Sequence, residues 1–222
     1  MTATTLHSDQ FEAMRIAMVA SQLRPSGVTD PRVIAAMAET PRERFVPAGM
    51  EELAYRDSTI NLGEGRRANT PLATARLLVE ARLRPSDRVL LIGAAMGYTA
   101  AVLAQIVAEV VAVESTPALA AAARANLASF PKVTVVEGAL EQGHAAAAPY
   151  DVLVIDGTVE QVPATLYTQL VERGRAVTGL NDRGVSRLAA GSRDADVLGL
   201  LPFADYDSVP LPGFAKPRSF TF

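Results

Sequence analysis

The chain has 222 residues, 49% of them hydrophobic, which is enough to bury one sizeable core and predicts a single domain over residues 1–222. Its net charge of −3 and pI near 5.5 argue against the broad electropositive surface that holds phosphate backbones, so nucleic acid is not an expected partner. With no cysteine and only two histidines, His7 and His144, far apart in sequence, disulfides and thiolate catalysis are excluded and no metal site is expected.

The N-terminus MTATTLHSDQFEAMR has no basic stretch leading into an apolar one, and no apolar run approaches the ~18 residues needed to span a bilayer. A cytoplasmic protein without a membrane segment is expected. Residues Gln10 to Leu23 place Phe11, Met14, Ile16, Ala17 and Leu23 loosely on one helical stripe. Asp30-Pro31 reads as an N-cap and first helical position opening RVIAAMAE. Residues 1–70 therefore read as a helical cap, either covering a sheet edge or facing an acceptor.

Residues 71–222 read as the core. Thr70-Pro71 is a second cap-and-proline pair opening a helix. From Arg88 short apolar runs alternate with amphipathic segments, the signature of parallel βαβ units. Strands are predicted at Val89–Ile92, Val110–Val113, Val133–Val136, Val152–Ile155 and Ala176–Leu180, with helices at about Tyr98–Ala108, Pro117–Ser129 and Pro163–Glu172. After Leu180 shorter Gly-rich segments and VLGLLPF suit antiparallel edge strands. The C-terminal SVPLPGFAKPRSFTF reads as an extended strand or edge cover packing Phe214, Phe220 and Phe222.

The segment RVLLIGAAMGYTAAVLA carries a buried strand through Gly93 and Gly97 into a helix. In a doubly wound sheet this turn lies where ligands bind, and small residues let the backbone approach them. Glu114 ends the next strand, where an acidic side chain can accept hydrogen bonds from both ribose hydroxyls of a nucleotide. Dinucleotide turns read G-x-G-x-x-G. Here Gly93, Ala95 and Gly97 stand one residue tighter, which favours S-adenosylmethionine over NAD.

Four blocks in order then resemble the protein-L-isoaspartate O-methyltransferases. They are RVIAAMAETPRERFVP with AYRDSTINLGEGRRANTPLATA; LLIGAAMGYTAAVLA; VVAVE; and VVEGALEQGHAAAAPYDVLVIDGTVEQVPATLYTQLVERGRAV. The resemblance implies a Rossmann-like α/β methyltransferase sheet, mostly parallel with antiparallel C-terminal strands, that methylates isoaspartyl residues of proteins or peptides from S-adenosylmethionine. It assigns cofactor contacts to Gly93, Ala95, Met96, Gly97, Glu114, Gly138, Ala139 and Leu140, and the acceptor side to Asn69 and Thr70.

The chain departs from the family pattern at defined positions. The family serine beside the transfer site falls on Asn69, and the middle loop glycine and its serine fall on Ala95 and Met96. The acidic residues that help fix the two ends of the cofactor in the family fall on Leu91 and Ala139. These departures leave two alternatives open: a methyltransferase for another small acceptor, or a fold kept as a binding module. Among the remaining polar residues, Arg66 and Arg67 could attract the acceptor carboxylate but read more readily as a solvated pair, Asp156 stands at a strand's carboxyl end where a site is expected and also forms an ordinary turn pair with Gly157, and His144 reads as a loop residue.

Overall fold

The computed structural model describes residues 2–182 and 184–216. The first helix, α1 (Thr2–Met18), runs into a π-helical turn at Val19–Leu23. Phe11, Met18, Val19 and Leu23 are buried, whereas Ile16 and Ala17 face outward, so the stripe expected to include the latter two is displaced. Ile16 and Ala17 fall off the i, i+3, i+7 face made by Phe11, Met14 and Met18, and the wider π turn rotates only the residues after Met18, Leu23 among them, relative to that face. Helix α2 (Pro31–Glu39) begins as its sequence predicts: the Asp30 carboxylate accepts the Arg32 N–H at 2.9 Å.

Next comes a small hairpin of β1 (Ile60–Gly63) and β2 (Arg66–Ala68), then α3 (Pro71–Glu80), capped by the Thr70 hydroxyl accepting from the Ala73 N–H at 3.1 Å. Beyond it alternate β3 (Arg88–Ile92), α4 (Tyr98–Ala104), β4 (Glu109–Glu114), α5 (Pro117–Asn126), β5 (Val133–Glu137), β6 (Tyr150–Val159), α6 (Ala164–Tyr167), β7 (Leu170–Asp182), β8 (Val185–Asp194) and β9 (Val197–Ala204). The seven strands from β3 onward form one sheet ordered β5-β4-β3-β6-β7-β8-β9. The first five in that order are mutually parallel, and β8 and β9 are antiparallel additions.

This order explains the apolar runs. Strands β3 and β4 have neighbours on both sides and are buried on both faces, so their sequences RVLLI and EVVAVE cannot alternate with polar residues. Leu91 packs in the cluster beneath α1 to α4, and Leu90 and Ile92 pack in the opposite one with Leu153 and Phe214. Helix α4 buries all seven residues because it is built almost entirely of small and aliphatic side chains. Among the described residues no helix is long and apolar enough to cross a membrane.

Two expectations need correction. The helix predicted over Pro163–Glu172 spans only Ala164–Tyr167, because Leu170 pairs with Tyr150 and the Tyr150 N–H reaches the Gln169 carbonyl at 2.9 Å. Sheet pairing thus overrides helical propensity in the second half of the segment. Within its described residues the C-terminal segment is extended, as one reading expected, but does not cover a sheet edge. Residues 208–211 cross the carboxyl end of β6, where the Thr158 N–H donates to the Val209 carbonyl and the Leu211 N–H donates to the Thr158 carbonyl at 3.0 Å. Phe214 is buried as expected; Phe220 and Phe222 lie outside the described residues.

The crossing requires a glycine. A Cβ on Gly157 would sit 2.5 Å from Leu211 Cγ and 2.7 Å from the Val209 carbonyl oxygen. Gly157→Ala should therefore push the crossing segment off the sheet and cost about 1–3 kcal/mol in urea unfolding. A variant as stable as the parent would show that the segment yields freely.

Candidate active site

The sheet order reverses between β3 and β6, the place where doubly wound sheets hold ligands. The turn after β3 stands there. Gly93 and Gly97 take φ of 84° and 102°, and the Gly93 and Ala94 N–H groups both donate to the Val113 carbonyl, at 3.0 and 3.1 Å. Ala95 stands between them at φ 51°, a left-handed conformation in a residue with a Cβ. It stays there because its N–H donates to Glu114 Oε2 at 2.7 Å.

Glu114 ends β4 with no exposed surface. A carboxylate so placed has to be hydrogen-bonded. Its Oε1 accepts from the N–H groups of Ser115 at 2.9 Å and Thr116 at 3.0 Å, and from the Arg66 guanidinium. Arg66, read from sequence as a solvated residue, is 3% exposed and forms a buried ion pair. The hairpin is the reason: its alternation turns Ile60, Leu62 and Arg66 inward and leaves Asn61 and Arg67 outside. Arg66 Nε and Nη2 are buried without a hydrogen-bond partner among the described residues.

Asn69 lies a few residues further on, 3% exposed. Its side-chain N–H donates to Asp156 Oδ1 at 2.7 Å, and its Oδ1 accepts from Ser208 Oγ at 2.9 Å and the Val209 N–H at 2.8 Å. The Thr74 hydroxyl also donates to Asp156 Oδ1, at 3.1 Å, and the Thr99 hydroxyl donates to Oδ2. Asp156 sits in a bulge of β6, between Val154 and Thr158, where the register against β7 shifts. The bulge aims its carboxylate at α3 and α4, so the residue is a hub and not a turn. Thr70 spends its hydroxyl on the α3 cap and lines the outer groove described below.

Asn69, Thr74, Thr99 and Asp156 line one narrow cavity with residues 93–96, Arg42 and Tyr98. Its water-accessible volume is about 20 Å³. The Arg42 guanidinium carbon lies 4.4 Å from the Tyr98 ring centroid, and Arg42 Nη2 donates to the Asn69 carbonyl. Arg42 Nε and the Tyr98 hydroxyl have no hydrogen-bond partner among the described residues. Burial pushes the Tyr98 phenol above its ordinary pKa, with Arg42 opposing, so it remains a neutral O–H donor. On the other side of Asn69 an open groove of about 810 Å³ is lined by Asp57, Arg67, Thr70, Tyr206 and Ser208, among others.

The structure thus brings Gly93, Ala95, Met96, Gly97, Glu114 and Asn69 to one end of the sheet. Gly138 joins them through its N–H, which donates to the Glu114 carbonyl at 3.0 Å. Met96 is half-buried, with its carbonyl accepting from Asn126. Ala139 is exposed, while Leu140 is buried in the core on the β5–β6 side. Leu91, at the position of a family acid, points into the core. Sequence reading missed Arg42, Thr74, Tyr98 and Thr99. Arg42 stands in the TPRERFV block and Tyr98 directly after Gly97, but nothing local marks their side chains as meeting.

The left-handed Ala95 yields a direct test. Glycine removes a Cβ cost of about 1–2 kcal/mol in the folded state and gives back about 0.4–1 kcal/mol through the unfolded chain. Ala95→Gly should therefore stabilise the protein by about 0.5–1 kcal/mol, read as a raised melting temperature. A lowered one would mean the alanine methyl packs favourably enough to outweigh its backbone conformation.

A family model described as protein-L-isoaspartate(D-aspartate) O-methyltransferase matches residues 14–199. The protein-L-isoaspartate O-methyltransferase 1 of Rhodopseudomonas palustris is 41% identical over 207 residues, covering 91% of this chain and 84% of its own length. That of Roseiflexus castenholzii is 40% identical and covers 91% of this chain and 94% of its own length. A solved protein-L-isoaspartate O-methyltransferase superposes with a TM-score of 0.78 at 25% identity, over 91% of this chain and 66% of that one. A Plasmodium falciparum structure of that description, in complex with S-adenosyl-L-homocysteine, shares the fold with a TM-score of 0.73 at 16% identity, over 88% of this chain and 96% of its own. With the family model spanning most of its length and relatives at this identity over nearly all of it, the chain belongs to the protein-L-isoaspartate O-methyltransferase family.

Proposed function

We propose that this protein transfers a methyl group from S-adenosylmethionine to the carboxylate of L-isoaspartyl residues in proteins or peptides. The observation that carries the reading is the Gly93–Gly97 turn closed on the buried Glu114 carboxylate at the switch point of the sheet, in a chain of this family. The residues present fit a nucleoside chemically. Glu114 is an acceptor suited to a pair of ribose hydroxyls, and its three backbone donors keep it in place. Gly93 to Gly97 supply a backbone that a ligand can approach closely, and residues 138–140 flank the strand end beside Glu114.

S-adenosylmethionine, when bound, supplies an electrophilic sulfonium methyl group. The acceptor α-carboxylate has an ordinary pKa of about 3.3–3.7 and is ionised at neutral pH, so no general base is required. The tasks left to the protein are alignment and exclusion of water. Asn69 is suited to the first because Asp156, Ser208 and Val209 fix its amide, leaving one side-chain N–H for an acceptor. The unpartnered Arg42 Nε and Tyr98 hydroxyl in the same cavity supply further donors for an anion. Thr70 reaches the acceptor side through the groove it lines.

In this reading residues 1–222 act as one domain, in the cytoplasm, on protein rather than nucleic-acid substrates. The absence of cysteine and the net charge of −3 support those two assignments. Transfer of labelled methyl groups to an isoaspartyl peptide, measured beside its aspartyl counterpart, tests the activity. Base-labile label on the isoaspartyl peptide alone is expected. Equal background on both peptides would overturn this substrate assignment.

A further inference from the structure

The carboxylate that the methyltransferase reading assigns to the ribose is already engaged by the chain itself. We infer that Arg66 is an internal stand-in for the nucleoside: it must leave Glu114 before the ribose hydroxyls can bind, so residue 66 sets the affinity for the cofactor. This rests on the function proposed above and adds a determinant of cofactor affinity.

The acceptor is saturated on one oxygen. Glu114 Oε1 takes the Ser115 and Thr116 N–H groups and the Arg66 guanidinium, three donors against about two lone-pair directions. Oε2 already takes the Ala95 N–H. Arg66 is thus the donor in excess on Oε1, and one direction, on Oε2, is left for a hydroxyl beside it.

Space leads to the same conclusion. A Cβ built on Gly93 would lie 3.7 Å from Arg66 Nη2 and 3.0 Å from Leu211 Cδ1, so the turn's open side is covered by these two side chains. The adjoining cavity of about 20 Å³ holds little more than a water molecule, far less than a nucleoside. Arg66 and Leu211 both have to move to admit one.

The pair is also built to separate. Among the described residues Arg66 Nε and Nη2 are buried and unpartnered, so the guanidinium makes one bond there where it has five donors. Moving outward satisfies the rest with water. Glu114 meanwhile keeps its three backbone N–H donors, so the exchange does not strand a bare buried charge. A binding-competent arrangement populated only in part lowers apparent affinity by that fraction.

Calorimetric titration of adenosylhomocysteine into wild-type protein and Arg66→Gln reads the effect. Glutamine keeps a side-chain donor but has neither the charge nor the full reach of arginine. Binding by Arg66→Gln should be at least about tenfold tighter. Equal or weaker binding overturns the inference and leaves the methyltransferase reading intact, since nucleoside still binds. No binding by either protein overturns the cofactor assignment and the inference together. A second readout needs no variant. The Arg66 Nε–H of the wild-type protein should be protected from hydrogen exchange and lose that protection as adenosylhomocysteine saturates. Protection unchanged at saturation overturns the inference.

Discussion

A carboxylate with no exposed surface, at the end of the second parallel strand, is the constraint around which this protein's active end is arranged. Glu114 cannot be left without partners, and the structure supplies them from three directions. Its own chain bends so that Ser115 and Thr116 point their N–H groups back at it, and the turn after β3 places the Ala95 N–H against it. The hairpin before α3 contributes Arg66. The left-handed Ala95, tolerated despite its Cβ, follows from this demand.

A second polar centre organises the acceptor side. Asp156 collects donors from α3, α4 and the segment before α3, and Asn69 passes the connection on to Ser208 and Val209. The crossing segment is thereby tied to the same network that lines the cavity, and its Leu211 reaches over Gly93. At position 69, where the resemblance sets a serine, the asparagine amide spans both Asp156 and Val209. The substitution is thus coupled to how the C-terminal segment is anchored.

Much of the fold is legible in the sequence because its signals are local. Buried parallel strands are written as apolar runs, helix starts as Asp30-Pro31 and Thr70-Pro71, and the tight turn as Gly93 and Gly97 flanking Ala95. The helix predicted over Pro163–Glu172 failed for the opposite reason: its second half is held by pairing with Tyr150, remote in sequence. Arg66 failed likewise. As one of two adjacent arginines in a loop-like stretch it reads as solvated, and only the inward face of a hairpin packed against β4's end makes it a partner of Glu114.

The sequence by itself determined the doubly wound sheet, the position of its ligand-binding turn, Glu114 as the acidic strand end and the family to which the chain belongs. Those features depend on hydrophobic periodicity, backbone conformation and residue order, all of which a linear chain displays. Tertiary structure alone decided that Arg66 occupies Glu114, that Asp156 gathers Asn69, Thr74 and Thr99, and that Arg42 meets Tyr98. Each of those contacts joins segments far apart along the chain. The partners a buried polar group finds are set by the packing around it, which no local pattern encodes.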